Sequence, residues 1–287
     1  MLSVRPLLER CHDLSECILW DEQNGLLWWT DIYARHLWQH DPVSGAEKRW
    51  DMPSTLGCFA LTDEPGVLLL GLQKHLARFD THTEALELLA EIEADSPAHR
   101  TNDGRCDRSG NFVFGTTTEG AEGGLGGFYQ YKSGQPLRRL ALPAPTIANS
   151  LCFSPDGATL YFTDSPSHKI MQCDYDAETA NVSNSRFFAD VPDGEPDGSI
   201  TDSQGYVWNA VWGGHVVIRY APDGRIDQRV DLLAEQPSCV CFGGADLDKM
   251  YVTSARRGLP HYEQNSGRVY EIAGTGASGV AESRFKW

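Results

Sequence analysis

Six positions along the chain carry side chains that, brought together, could hold a cation and a small polar ligand: Glu16, Cys58, Asn102, Asn149, Asp197 and Ser238. Each lies five residues before the first residue of a turn segment, Glu16 before Asp21, Cys58 before Asp63, Asn102 before Asp107, Asn149 before Ser154, Asp197 before Asp202 and Ser238 before Gly243. Two carboxylates and two amides gathered in a dry place would repel or go unpaired, and a cation is the usual remedy. Their oxygens suit a hard divalent ion such as Ca²⁺, Mg²⁺ or Mn²⁺, and Zn²⁺ and Fe²⁺ are compatible with the same donors. The residue types alone are also compatible with a water-filled polar channel.

What would bring these positions together is a repeat. Short apolar runs begin at 27 (LWWTD), 67 (VLLLG), 112 (FVFGT), 160 (LYFTD), 207 (VWNAV) and 250 (MYVTS), and a turn precedes each, such as DEQNG at 21 or SPDG at 154. A third run follows each of them, for example HLWQHDP at 36 and KIMQCDY at 169, and a fourth follows in segments such as RRLALP and RFFADV. Short runs rich in Val, Leu, Phe, Tyr and Trp, the Gly/Asp/Pro turns between them and the absence of helical periodicity predict an all-β chain. Four short antiparallel strands recurring at this spacing predict a six-bladed β-propeller, one domain over residues 1–287. A β-sandwich has no need of so regular a period. Segments 4–10 and 282–287 both read as an outer strand for the single slot left in the last blade, and the pattern does not choose between them.

The first strand of each blade lines a propeller's channel, so the six positions face one another around its axis. Residues just after each second strand then surround the mouth of the channel: Asp31, Glu119, Asp164, Trp212 to His215, and Ser254 to Arg257. The connections between blades reach the same face and bring His99, Arg100 and Thr101 beside Asn102, with Arg100 the leading candidate for a ligand contact.

Composition narrows the partners. A formal net charge of −16 without a Lys/Arg cluster argues against nucleic acid or an anionic membrane. No apolar stretch approaches the roughly 20 residues needed to cross a bilayer. Eight cysteines without paired CxxC spacing, and no leader-like start, predict a cytoplasmic protein with free thiols. No obligate protein partner is inferred. Gly274, Gly276 and Gly279 form a GxGxxG pattern with no βαβ unit around it, so it carries no dinucleotide reading. There is no GxSxG elbow. Cys58 has no His at its level of the repeat and reads as a wall residue, not a nucleophile.

The segments SECILW at 15, RTNDGRCDRSGNFVFGT at 100, ANSLCFSPDG at 148, EPDGSITDSQGYVWNAVWGG at 195 and FGGADLDKMYVTSAR at 242 resemble the SMP-30/gluconolactonase/luciferin-regenerating-enzyme family along essentially the whole chain. The resemblance implies a six-bladed propeller with one central divalent ion, whose ligands fall on Glu16, Asn149 and Asp197. It implies substrate contacts from Arg100 and Asn102, with Glu119 one position from the acidic residue that some relatives use, where Gly120 stands. It also implies hydrolysis of a sugar lactone to the sugar acid in carbohydrate catabolism. Bacterial relatives commonly have Gly and Pro where this chain has Ser15 and Ile18.

On that reading Asp197 is a ligand and the preferred general base, or a ligand only. Trp212, His215 and Arg256 join Glu119 as candidates for specificity. The rival readings are a metal-dependent esterase of phosphotriesterase type and a non-catalytic calcium-binding regulatory propeller.

Overall fold

The computed structural model describes residues 2–118, 124–261 and 264–287. Among them, six four-stranded antiparallel sheets follow one another along the chain. Their inner strands are Ser15–Asp21, Leu56–Leu61, His99–Cys106, Ala148–Phe153, Glu195–Thr201 and Gln236–Gly243. This is the predicted propeller. The hairpins that join inner to second strands are set by short polar side chains that hydrogen-bond their own backbone. Asp107 Oδ1 accepts from the N–H groups of Ser109 and Asn111, both at 2.9 Å, and Asp202 Oδ1 accepts from Gln204 N at 2.9 Å and Tyr206 N at 3.0 Å.

Adjacent blades bury their faces against each other. One apolar cluster runs through the first three blades, and another joins the fifth, sixth and first, with Trp29 and Trp208 fully buried. All eight cysteines are free thiols, as composition predicted, and all but Cys11 are buried. Among the described residues no helix is long and apolar enough to cross a membrane.

The sixth blade settles the choice between the two terminal segments. Ser3–Pro6 pairs antiparallel with Tyr270–Ala273, so the N-terminal strand closes the ring. The C-terminal segment instead runs across the turn ends of the blades. Ser203 N donates to Ser278 O at 2.9 Å, Phe285 N to Leu61 O at 2.8 Å and Lys286 N to Gly110 O at 3.0 Å, and Phe285 is fully buried. Glu282 meets Arg105, which projects from the third inner strand, with both carboxylate oxygens within 2.9 Å of Arg105 Nη1 and both side chains buried. Removing one partner of a buried pair leaves an uncompensated charge. Glu282→Ala is therefore expected to destabilise the fold by about 3–5 kcal/mol, and Glu282→Ala/Arg105→Met to recover much of that loss. Denaturant unfolding measures both, and a wild-type midpoint for the single variant would remove the pair from the list of stabilising contacts.

One backbone feature positions the site. Every inner strand carries a register shift where the predicted ring begins, between Glu16 and Leu19, Leu56 and Cys58, Thr101 and Gly104, Asn149 and Cys152, Pro196 and Ser199, and Pro237 and Val240. An extra residue in one strand bends it and re-aims the neighbouring side chains, a common device beside functional sites. Cys17 and Ser150, each following a ring residue, sit at φ 49° and 60°, a conformation that non-glycine residues adopt only when their surroundings hold them there.

Candidate active site

Four of the six ring positions meet as predicted. Glu16, Asn102, Asn149 and Asp197 line one cavity of about 240 Å³, with Arg100 beside them. The other two do not line it. Cys58 is fully buried and its thiol is pushed well above the usual range by burial and then by the charge of Asp103, which makes it a poor nucleophile. Ser238 donates to Ser15 O at 2.5 Å, tying the last blade to the first, and its hydroxyl lies within hydrogen-bond distance of Thr253 Oγ1 at 2.9 Å. Ser15 returns the tie through Oγ to Ser254 O at 2.6 Å. This gives a use for a hydroxyl at the position where bacterial relatives commonly have glycine.

The carboxylates of Glu16 and Asp197 are buried and perturb one another. Burial, then the charge of Asp103, pushes Glu16 up to about 8. Burial, then the charges of Glu16 and Asp103, pushes Asp197 well above the carboxylate range. Asp103 follows Asn102 and its oxygens accept from Leu151 N at 2.7 Å and Gly104 N at 2.8 Å; burial raises it too. Asp197 Oδ1 is buried with no hydrogen-bond partner. An orphaned carboxylate oxygen beside a second strained carboxylate fits a bound cation, which would satisfy the one and neutralise the other. Among the described residues no group of three or more His, Cys, Asp or Glu forms a metal cluster, so the candidate donor set is two carboxylates and the Asn149 amide. Hard divalent ions take such oxygens.

The neutral members are held in place. Asn149 Nδ2 donates to Ser165 Oγ at 2.9 Å, and Ser165 Oγ donates to Pro196 O at 2.7 Å. Asn149 Oδ1 accepts from Asn102 Nδ2 at 2.8 Å, which leaves it a second lone pair. Asn102 Oδ1 accepts from Arg100 Nη1 at 2.7 Å, and the same nitrogen donates to Thr101 O at 2.9 Å. Beside Asp197, a Cβ on Gly198 would stand 2.6 Å from Cys239 Sγ. The close approach of the two inner strands there requires glycine.

The mouth differs from expectation in several residues. Trp212 lines the cavity, but His215 is exposed on a turn away from it. Arg257 takes the wall position expected of Arg256. Asp31 and Asp164 turn back to the main chain: Asp31 accepts from Asp13 N and Leu14 N, both at 3.1 Å, and Asp164 from Thr146 N and Ile147 N, both at 2.9 Å. This carboxylate, present in the first and fourth blades, fixes the connection entering their inner strands. Glu119 lies outside the described residues. Tyr33, Ser165 and Glu195, which line the cavity, and Asp103, whose charge acts on both carboxylates, were missed, although Tyr33 and Ser165 follow Asp31 and Asp164 so closely that their place at the mouth was readable.

The region described as SMP-30/Gluconolactonase/LRE-like matches residues 14–256. The chain belongs to this family. A curated L-arabinolactonase of Azospirillum brasilense is 45% identical, covering 97% of this chain and 94% of its own length. A 6-deoxy-6-sulfogluconolactonase of Pseudomonas putida is 34% identical, over 85% of this chain and 84% of the relative. Among solved structures, a calcium-binding protein, regucalcin, from Agrobacterium tumefaciens superimposes with a TM-score of 0.94 at 33% identity, covering 100% of this chain and 98% of the other. The SMP-30/gluconolactonase/LRE-like match begins at the residue before Ser15 and ends between Arg256 and Arg257, so it takes in all six inner strands.

Proposed function

We propose that this chain is a lactonase that hydrolyses the ring ester of an aldonolactone to the sugar acid, in carbohydrate breakdown. The observation that carries the reading is the cavity itself, where two strained carboxylates and an amide oxygen adjoin the Arg100–Asn102 pair, whose donors suit sugar hydroxyls. Similarity to named sugar lactonases supports it. Glu16, Asn149 and Asp197 would hold a divalent ion, which supplies Lewis-acid polarisation of the lactone carbonyl when bound. Asp197, its charge balanced by the bound ion, would accept a proton from the attacking water. Arg100 and Asn102 would orient the ring, with Glu119 a further hydroxyl contact and Trp212 a wall. Free thiols support a cytoplasmic setting, and the continuous ring of blades supports one domain over the whole chain.

A panel of γ- and δ-aldonolactones, aryl esters and organophosphates, assayed by acid release with added divalent ions, tests the substrate class. Aldonolactones should be turned over in preference to the rest. Rapid organophosphate turnover with none on the lactones would reverse the ranking, and no turnover of any ester would favour a regulatory protein. Asn102→Ala should cost about 1–3 kcal/mol in kcat/KM, roughly ten- to a hundredfold, while the divalent ion stays bound. Metal analysis alongside kinetics checks it, and an emptied site would move Asn102 into the ligand set.

A further inference from the structure

The wall of the cavity contains a contact that neither the repeat nor the proposed chemistry uses. Tyr33 lies in the turn between Leu26–Asp31 and His36–His40. Its backbone is pinned on both sides: Ile32 is fully buried and donates to Leu14 O at 2.9 Å, and Arg35 N closes the turn onto Ile32 O at 3.2 Å. The side chain lies between two guanidinium groups. Arg257 Cζ stands 3.5 Å from the centre of the Tyr33 ring, in stacking contact. Arg100 Cζ is 5.2 Å from the same ring, and Arg100 Nη2 is 3.3 Å from the Tyr33 hydroxyl.

Arg257 is itself fixed. Its Nη1 donates to Asp13 Oδ2 at 2.8 Å, and the main-chain N–H groups of Arg256 and Arg257 both donate to Asp13 O at 3.1 Å. From Arg100 the contacts continue inward through Asn102 to Asn149. A continuous chain of contacts therefore leads from the half-exposed rim to the ring of polar residues.

We propose that Tyr33 is a positioning residue for substrate recognition, its hydroxyl holding one edge of the Arg100 guanidinium while Arg257, stacked on its ring, holds Tyr33. Arg257 then influences the substrate through Tyr33 and Arg100, from a surface position outside the polar ring. This rests on the reading of Arg100 as a substrate-binding residue. A planar guanidinium presents its donors in a fixed fork, so a small rotation at Arg100 misdirects several hydrogen bonds at once. Because Tyr33 touches neither Glu16 nor Asp197 through any of these contacts, its loss should weaken substrate binding without altering the proton transfer.

The test is a mutant cycle on the holoenzyme with the best aldonolactone of the panel. Tyr33→Phe, which keeps the ring and the stack, should raise KM about tenfold with kcat within about twofold and metal affinity unchanged. Arg257→Met should raise KM in the same direction, and Arg257→Lys, which keeps a cation over the ring, should restore part of it. In an Arg100→Lys background Tyr33→Phe should add little, since residues acting through one contact are not additive. Equal factors in both backgrounds, an unchanged KM in Tyr33→Phe, or a fall in kcat with KM intact would each overturn the proposal. A wild-type protein inactive on every lactone would instead sink the functional reading, and normal KM in Arg100→Lys would sink the role of Arg100. Arg257→Met, at a partly exposed position, keeps the test informative should Tyr33→Phe fold poorly.

Discussion

Asp197→Asn is expected to lower kcat by about 10³-fold, the largest effect of any single substitution in the cavity. The change keeps the shape of the side chain and one oxygen able to face a cation, but removes the negative charge and the capacity to take a proton from water. The fold should survive it. Burial and the neighbouring charges of Glu16 and Asp103 already disfavour the ionised form of Asp197, so a neutral amide there relieves repulsion in the metal-free protein. Loss of turnover with an intact thermal transition would then report on chemistry and not on stability. Metal titration separates the two roles of the residue: ion still bound with turnover gone marks a base, and ion lost with turnover marks a ligand. An Asp197→Asn variant that stays active would remove both.

Exhaustive chelation is expected to reduce turnover to the background rate, and a restricted set of divalent ions to restore it. Full activity with metal analysis confirming an empty site would end the metal reading. The carboxylate pair adds a signature in stability. Without a cation, the folded chain holds a proton on Glu16 up to about pH 8, whereas an ordinary Glu releases it near 4.5. Across that window the folded state binds more protons than the unfolded state, so stability falls as pH rises. Asp197 shifts in the same direction and steepens the fall. A divalent ion takes the place of the proton, so the thermal upshift that it gives should be small at about pH 5 and grow toward about pH 8. Melting curves in chelator and in saturating ion at both ends measure this. An equal shift at both, or a larger one in acid, would show that the ion binds elsewhere.

The two effects depend on residues that the repeat alone could pair. Glu16, Asn102, Asn149 and Asp197 stand at equivalent places in their repeats, and a propeller turns equivalence in sequence into adjacency around an axis. For that reason the all-β class, the six blades and four members of the ring were legible without coordinates, as was the family. Ser238 and Cys58 occupy equivalent places but do not reach the cavity. Whether a ring side chain points to the axis or into the seam between blades depends on the bulge and on what the next blade offers, such as the Ser15 carbonyl that takes the Ser238 hydroxyl.

The mouth was harder to read because its loops do not repeat. Arg257 and not Arg256 reaches the wall, and Asp31 and Asp164 serve the backbone of their own blades. These outcomes follow from turn geometry, where one residue more or less sends a side chain to the other face. The chain termini were undecided for the same physical reason: two segments had strand-like composition, and composition does not encode a partner. Tertiary structure gave Ser3–Pro6 the free edge of the last blade and left the C-terminal segment to seal the turn face through Glu282 and Phe285. The period, and with it the architecture and the polar ring, follows from the residue pattern alone. Only the packed structure decided which side chains face that ring, because facing is set by long-range contacts between blades that the local pattern does not contain.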